Sequence, residues 1–412
     1  MTSESSISKT VLNNGIRVLT EKVGYVESVS IGIWVVVGSR DEDAKSNGIS
    51  HFCEHLFFKG TEKRSAAQIA DEMDCMGAHL NAFTDKEFTC FYVKALREYI
   101  HQAMDIMSDM ILNSVFDKTE IEREKNVVIE EIKRHDDTPE DQVHDIVAQT
   151  LWKDHPLGRS VIGTTDVISN INRETIVNYI NRYYRPNSIV IAAAGNLEHQ
   201  EIVDLVSKYF SNLSGKRPER EPIKIQLNPE KKIIKKSTEQ VHFCMSANGC
   251  SQHDKRKYSL AAIDAILGGS MSSRLFQEIR EKRGLVYSIG SYASSYNEAG
   301  MFVIYGGTGP KSYPTVMELT REEISKLGKY GISDSELLRA KNQIRGALVM
   351  GQESMSNRMS RLAKSELYFD RIIRLDDILT EIENVSRDDV AYLAKDLTNS
   401  DGFAEVAIGP FK

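Results

Sequence analysis

Cysteine is scarce in this chain: five in 412 residues, Cys53, Cys75, Cys90, Cys244 and Cys250, with no CxxC pair among them. That sparsity excludes a disulfide scaffold and a cysteine-based zinc module, and it suits a reducing compartment. A surplus of basic charge is also missing. With 52 Lys and Arg against 59 Asp and Glu, the net charge is −7. A nucleic-acid binder needs a clustered basic face to neutralise phosphates, so that class is disfavoured and basic partners suit the chain better. Long apolar runs are lacking too: stretches such as Ile31–Gly38 and Ser188–Gly195 are far shorter than the roughly 20 residues that span a bilayer. They have the length of buried strands. The first fifteen residues, MTSESSISKTVLNNG, have neither the basic-then-apolar order of a signal peptide nor the Arg-rich amphipathic pattern of a transit peptide. Together these absences predict a cytoplasmic protein with no membrane span.

Hydrophobic residues make up 41% and charged residues 27%, an ordinary globular balance. The length exceeds the usual size of a single core, so two packed units are expected. An internal echo supports this. Residues 173–197, RETIVNYINRYYRPNSIVIAAAGNL, read helix, turn, strand, glycine; residues 386–410, SRDDVAYLAKDLTNSDGFAEVAIGP, repeat that order at the end of the chain. The predicted organisation is an amino-terminal domain over 1–212, a Pro-rich and charged linker over 213–232, and a homologous domain over 233–412. Within the first half, GIRVLTEK, VSIGIWVVVG, HLNAFTDK and FTCFYVKAL carry strand patterning. EYIHQAMDIMSDMILNS and TEIEREKNVVIEEIKRHD carry the 3.6-residue period of amphipathic helices. Strands and helices mix without strict βαβ alternation, so the fold class is α+β: two domains, each a largely antiparallel sheet packed with helices.

The chemistry concentrates in NGISHFCEHLFFKGT. His51 and His55 are four residues apart, which on a helix places both imidazoles on one face. Glu54 projects beside them, able to take a proton from water. Imidazole and carboxylate ligands suit zinc, and three protein ligands leave a fourth position for water. Flanking Ile49, Phe52, Leu56, Phe57 and Phe58 predict a half-buried helix, where unpaired imidazoles would be costly. A third ligand, expected to be a carboxylate, is sought in the helix TEIEREKNVVIEEIKRHDD. Glu124 and Glu131, seven positions apart, share a face, but two helical turns separate them by about 10 Å. Spacing alone leaves Glu124, Glu130 and Glu131 open.

The blocks HFCEHLFFKGT, LNAFTDKEFTCFY, EREKNVVIEEIK and LFQEIREKRGLVYS, in that order, make nearly the whole chain resemble the inverted-zincin superfamily. This includes pitrilysin, insulin-degrading enzyme and the mitochondrial processing peptidase, an association attached to H-x-x-E-H. The chain looks most similar to the catalytic subunit of the processing peptidase and its bacterial relatives. The resemblance implies that His51, His55 and Glu131 bind one Zn²⁺, that Glu54 is the general base, and that Glu124 supports the ligands from behind. It implies that Arg280 and Tyr287 hold substrate and steady the tetrahedral intermediate. It further implies that Asn81, Ala82 and Phe83 lie on an exposed edge strand to which the substrate adds, and that Asp141 and Asp145 receive a substrate arginine. Two departures narrow the match. LGGSMSSRLF (267–276) has only the Gly268–Gly269 pair, unlike the glycine-rich loop of the regulatory partner subunit, and no transit peptide is visible, which favours a bacterial cytoplasm. The chain is also half the length of pitrilysin-type enzymes, so a homodimer is expected to rebuild their chamber, with Arg280 and Tyr287 available for donation across it. Cys53, two residues from His51, points away from the ligand face and reads as packing. The expected activity is that of a zinc-dependent endopeptidase acting on peptides or extended presequence-like segments, with a preference for Arg-containing ones. The rivals are a non-catalytic scaffold and a purely structural zinc site.

Overall fold

The computed structural model of the protein describes residues 6–221, 223–399 and 402–412. Residues 1–5, 222, 400 and 401, which belong to the amino-terminal stretch, the linker and the carboxy-terminal echo, lie outside the described residues. The chain runs β1 (Ser6–Val11), β2 (Arg17–Lys22), β3 (Ser28–Val35), α1 (Ile49–Phe57), α2 (Ala66–Cys75), β4 (His79–Thr84), β5 (Thr89–Leu96), α3 (Ile100–Asn113), α4 (Lys118–Asp137), α5 (Pro139–Leu151), α6 (Thr165–Asn170), α7 (Arg173–Tyr183), β6 (Ile189–Gly195) and α8 (His199–Phe210). It continues with β7 (Lys231–Lys235), β8 (Val241–Asn248), α9 (Lys257–Leu267), β9 (Val286–Ser295), β10 (Gly300–Thr308), α10 (Tyr313–Tyr330), α11 (Asp334–Gly351), α12 (Met355–Phe369), α13 (Leu375–Glu383), α14 (Arg387–Asn399) and β11 (Ala404–Gly409). The four segments read as strands form β2 to β5, and the two read as amphipathic helices form α3 and α4.

Two sheets carry the same wiring. The first has the order β1-β2-β6-β3-β5-β4 and the second β7-β11-β8-β10-β9. In the first, β2 and β6 are parallel and every other pair antiparallel; in the second, β7 and β11 are parallel and the rest antiparallel. With β1 set aside, the sheets agree strand for strand in chain order and direction. The sequence echo, α7–β6 and α14–β11, falls at the same place in each. The fold is α+β, with two sheets of largely antiparallel strands.

By contact density the chain divides into two compact units. One comprises Met1–Ile132, Ser160–Glu221 and Met350–Ile373; the other comprises Lys133–Arg159, Pro222–Val349 and Arg374–Lys412. In the first, one face of the sheet packs on α1, α3, α7 and α8 through residues such as Ile31, Ile33, Phe52, Phe57, Met104, Ile176 and Val206. The opposite face packs on α12, where Met359, Leu362 and Ala363 meet Leu19, Trp34, Val190 and Ala192. Burial on both faces is why β3 and β6 read as unbroken apolar runs instead of alternating. The approach is close: a Cβ on Gly32 would lie 2.6 Å from Met359 Sδ. Glu21 of β2, almost fully buried, accepts from Arg358 and Arg361 of α12, so its charge is neutralised where desolvation would otherwise be costly. The second unit repeats the pattern. Its sheet buries Phe243, Ile263, Phe302 and Val390 on one side, and Val303, Val406 and Ile408 against Val147, Leu151 and Trp152 of α5 and its end on the other.

The segment read as a linker has no helix or strand over 213–221 or 223–230 and is mostly exposed. Its start is nonetheless fastened to the first unit. Arg220 forks onto Asp41 at 2.8 and 2.7 Å, and Arg217 lies 3.5 Å from the same carboxylate.

Candidate metal centre

Helix α1 is capped at its amino end by Gly48, whose φ of +95° favours glycine. A Cβ there would sit 2.8 Å from both Gly163 Cα and Ile162 O. Ile49, Phe52, Cys53, Leu56 and Phe57 bury one face of the helix in the core. The other side presents His51 and His55, with ring centroids 4.7 Å apart. His51 is 9% exposed. Its Nδ1 is buried without a hydrogen-bond partner, so packing and whatever meets Nε2 fix the ring.

Helix α4 brings the carboxylates. Ile121, Val128 and Ile132 bury its apolar stripe. Glu124 lies on the same stripe and is 5% exposed. Its Oε2 is 3.2 Å from His55 Nδ1 and its Oε1 is 2.7 Å from Lys59 Nζ. Glu131, two turns on, is exposed. Its Oε2 is 3.8 Å from His51 Nε2 and 3.6 Å from His55 Nε2. His51, His55 and Glu131 thus offer ligand atoms that all lie within 4.8 Å of one another. Tetrahedral zinc, with bonds of about 2.0–2.2 Å, separates its ligand atoms by roughly 3.4 Å, and the two imidazole–carboxylate separations exceed that by only a few tenths of an ångström, so the donor set suits the ion. Of the three carboxylates that helical spacing left open, Glu131 is the one grouped with both imidazoles.

Burial, reinforced by the neighbouring His55, lowers the pKa of His51 to about 4. The ring is therefore neutral near pH 7, the form that binds metal. Glu54 is partly buried beside the histidines, and burial raises its pKa while a hydrogen bond from Thr84 and the His55 charge partly offset the rise. Thr84 Oγ1 donates to Glu54 Oε2 at 2.6 Å, leaving Oε1 for another proton. Cys53 is fully buried, and burial drives its thiol pKa upward.

Asn81, Ala82 and Phe83 lie on β4, the last strand of the first sheet, paired with Tyr92, Phe91 and Cys90 of β5. The remaining expected residues belong to the second compact unit. Asp141 and Asp145 share α5; Asp141 is exposed, and Asp145 Oδ2 lies 3.6 Å from His135 Nε2. Arg280 sits in a short π-helical turn, Phe276–Glu281, with its guanidinium 4.5 Å above the Phe276 ring and 5.9 Å from that of Tyr287. Tyr287 is 81% exposed near the start of β9. The arginine and the tyrosine are thus neighbours. Lys59 and Thr84, whose side chains engage Glu124 and Glu54, carry no spacing signal in the sequence.

Residues 17–165 match the family described as Insulinase (Peptidase family M16), and residues 170–344 match the Peptidase M16 inactive domain. A protein of Bacillus subtilis named as an uncharacterized zinc protease is 41% identical over 404 residues, covering 98% of both chains. Another so named, from Streptomyces coelicolor, is 37% identical over 99% of this chain and 90% of its own. Among solved structures, a protease from Helicobacter pylori superimposes with a TM-score of 0.92 at 20% identity, over 98% of this chain and 100% of that one. A peptidase M16 inactive domain from Pseudomonas fluorescens also gives 0.92, at 18% identity and 98% of each chain. Those two establish the fold; the sequence matches, spanning nearly the whole chain with H-x-x-E-H inside the first, show that it belongs to peptidase family M16, the insulinase family.

Proposed function

We propose that the chain is a zinc-dependent endopeptidase in which His51, His55 and Glu131 hold the ion and Glu54 is the general base. The observation that carries this reading is the convergence of two imidazole nitrogens and a carboxylate oxygen from separate helices, with Glu54 beside them. Zinc held there supplies Lewis acidity, which makes water acidic near neutral pH and a peptide carbonyl electrophilic. Glu54 takes the proton of the attacking water at Oε1, the oxygen that Thr84 leaves unengaged, and returns it to the leaving amine. Burial raises its pKa and so favours its taking up a proton. Glu124 accepts from His55 Nδ1 and so presents the lone pair of Nε2 to the ion, while Lys59 anchors the far carboxylate oxygen.

The remaining parts of the reading concern substrate and assembly. An extended peptide adds to the edge strand β4 along Asn81–Phe83, so main-chain hydrogen bonds give affinity for many sequences. Arg280 and Tyr287, adjacent donors, bind substrate and the developing oxyanion, and Asp141 and Asp145 favour arginine-containing peptides. A homodimer encloses the substrate, in the cytoplasm of a bacterium. The boundary between the duplicated halves is assigned to 213–232, after the first wiring pattern has ended and up to the first two residues of β7, which opens the second. A non-catalytic scaffold accounts less well for a base and three ligands all in place.

The test is Glu54→Gln, with wild type run beside it with and without a chelator on a mixed peptide library, the cuts mapped by mass spectrometry. The variant is expected to keep its zinc and lose cleavage. Turnover in zinc-loaded Glu54→Gln would remove Glu54 from the mechanism, and chelator-resistant cleavage would remove the metal. An arginine-replacement series in a cleaved peptide checks the acidic pair, and indifference to arginine would dismiss that preference.

A further inference from the structure

The amino end of α1 has an unusual cap. A helix leaves its first backbone N–H groups without intrahelical partners, and a Ser, Thr, Asp or Asn side chain at the cap normally satisfies one of them. Here the cap is Gly48, which the approach of Gly163 requires and which offers no side chain. The missing acceptor comes from Glu42, six residues upstream. Its Oε2 accepts from Gly48 N at 2.7 Å and Asn47 Nδ2 at 2.9 Å. Its Oε1 accepts from Ser50 N at 2.8 Å and Ser50 Oγ at 2.6 Å. Because Ser50 spends its proton on Glu42, the Tyr179 hydroxyl of α7, 2.6 Å away, donates to Ser50. Glu42 is 5% exposed, so water does not substitute for this network. Four donors converge on the two oxygens and oppose the rise in pKa that burial imposes, and a carboxylate there complements the positive end of the helix.

We infer that Glu42 is a positioning residue for the metal centre: through Gly48 and Ser50 it fixes the first turn of α1 and thereby the place of His51, the residue next to Ser50. This rests on the metallopeptidase reading above. His51 is the ligand most in need of such support, since its Nδ1 has no hydrogen bond to orient the ring, whereas His55 has Glu124. A ligand displaced by a few tenths of an ångström weakens both metal binding and the alignment of the reaction.

The test uses the full chain. Glu42→Gln is nearly isosteric, yet whichever way its amide turns, an NH₂ faces two donors. Ser50→Ala is milder, removing one of the four donors and leaving both backbone ones. Zinc affinity by chelator competition, the visible spectrum of the Co²⁺-loaded protein, and separate kcat and KM values on a library-derived peptide are compared at a temperature where circular dichroism shows each variant folded. Glu42→Gln is expected to lose at least about tenfold in zinc affinity and in kcat, the scale seen for groups that support ligands. KM should stay within about twofold and the Co²⁺ band should shift, with Ser50→Ala in between. A wild-type spectrum and kcat in folded Glu42→Gln would overturn the inference while leaving the zinc site standing. If Glu42→Gln does not fold, a wild-type spectrum and affinity in Ser50→Ala overturns it. A wild-type chain that takes up neither Zn²⁺ nor Co²⁺ would overturn the metallopeptidase reading, and the inference with it.

Discussion

Replacing Glu124 by glutamine changes one atom, and its effect follows from the two groups that the carboxylate touches. Lys59 Nζ stands 2.7 Å from Oε1 and His55 Nδ1 stands 3.2 Å from Oε2. Both are donors, and a carboxylate accepts from both. An amide does not. If its oxygen faces Lys59, its NH₂ faces Nδ1, which must then accept; the ring proton moves to Nε2, the nitrogen nearest Glu131, and opposes the metal. If the amide turns round, NH₂ faces the ammonium, and two donors confront each other at a side chain that is 5% exposed. Either arrangement strands a buried polar group, at a cost of about 1–3 kcal/mol, or roughly 5- to 150-fold in zinc affinity. Chelator competition on folded protein measures it. Removing the lysine as well discriminates this account from simple loss of charge: in Glu124→Gln/Lys59→Met the oxygen is free to face His55, and affinity should recover in part. Zinc binding by the single variant within about twofold of wild type, or a double variant no better than the single, would refute the reasoning.

Three further outcomes are expected. Thr84→Val removes the hydroxyl that holds Glu54 Oε2, so turnover should fall about tenfold at unchanged zinc content, in line with a hydrogen bond to a charged group; peptide kinetics beside metal analysis check this. Asp41→Asn halves the fork on Arg220, and since breaking a buried pair costs about 3–5 kcal/mol, urea unfolding should show a loss near the lower figure; a loss under about 1 kcal/mol would contradict the fastening of residues 217–220. Burial of Asp264 in α9 raises its pKa to about 6, so the folded state holds a proton that the unfolded chain releases near pH 4. Its contribution is therefore most favourable below that pH, is lost as pH rises towards 6, and stays lost above it, by on the order of 3 kcal/mol. Asp264→Asn should remove that fall, visible as a stability gain over wild type at pH 7.5 that is absent at pH 4; an equal gain at both would exclude the titration.

Residue order alone sufficed for the fold class and for two imidazoles on one face of a helix. Period-two and period-3.6 patterning depends on neighbours along the chain, and the four-residue interval between His51 and His55 fixes a shared face once a helix forms. The repeat was legible for a related reason: a helix, turn and strand are one local unit, so α7–β6 and α14–β11 carry the same order of residue types. Tertiary structure decided the rest. Glu131 is grouped with both imidazoles and Glu124 meets only that of His55, a difference set by tertiary packing that no spacing within α4 encodes. The placement of α12 on the first sheet and α5 on the second turned on which apolar face found a partner, so compact units gather segments distant in sequence. Lys59, Thr84 and Glu42 were invisible for the same reason. Each is an ordinary residue type whose importance lies in the atom it touches, and packing alone supplies that atom.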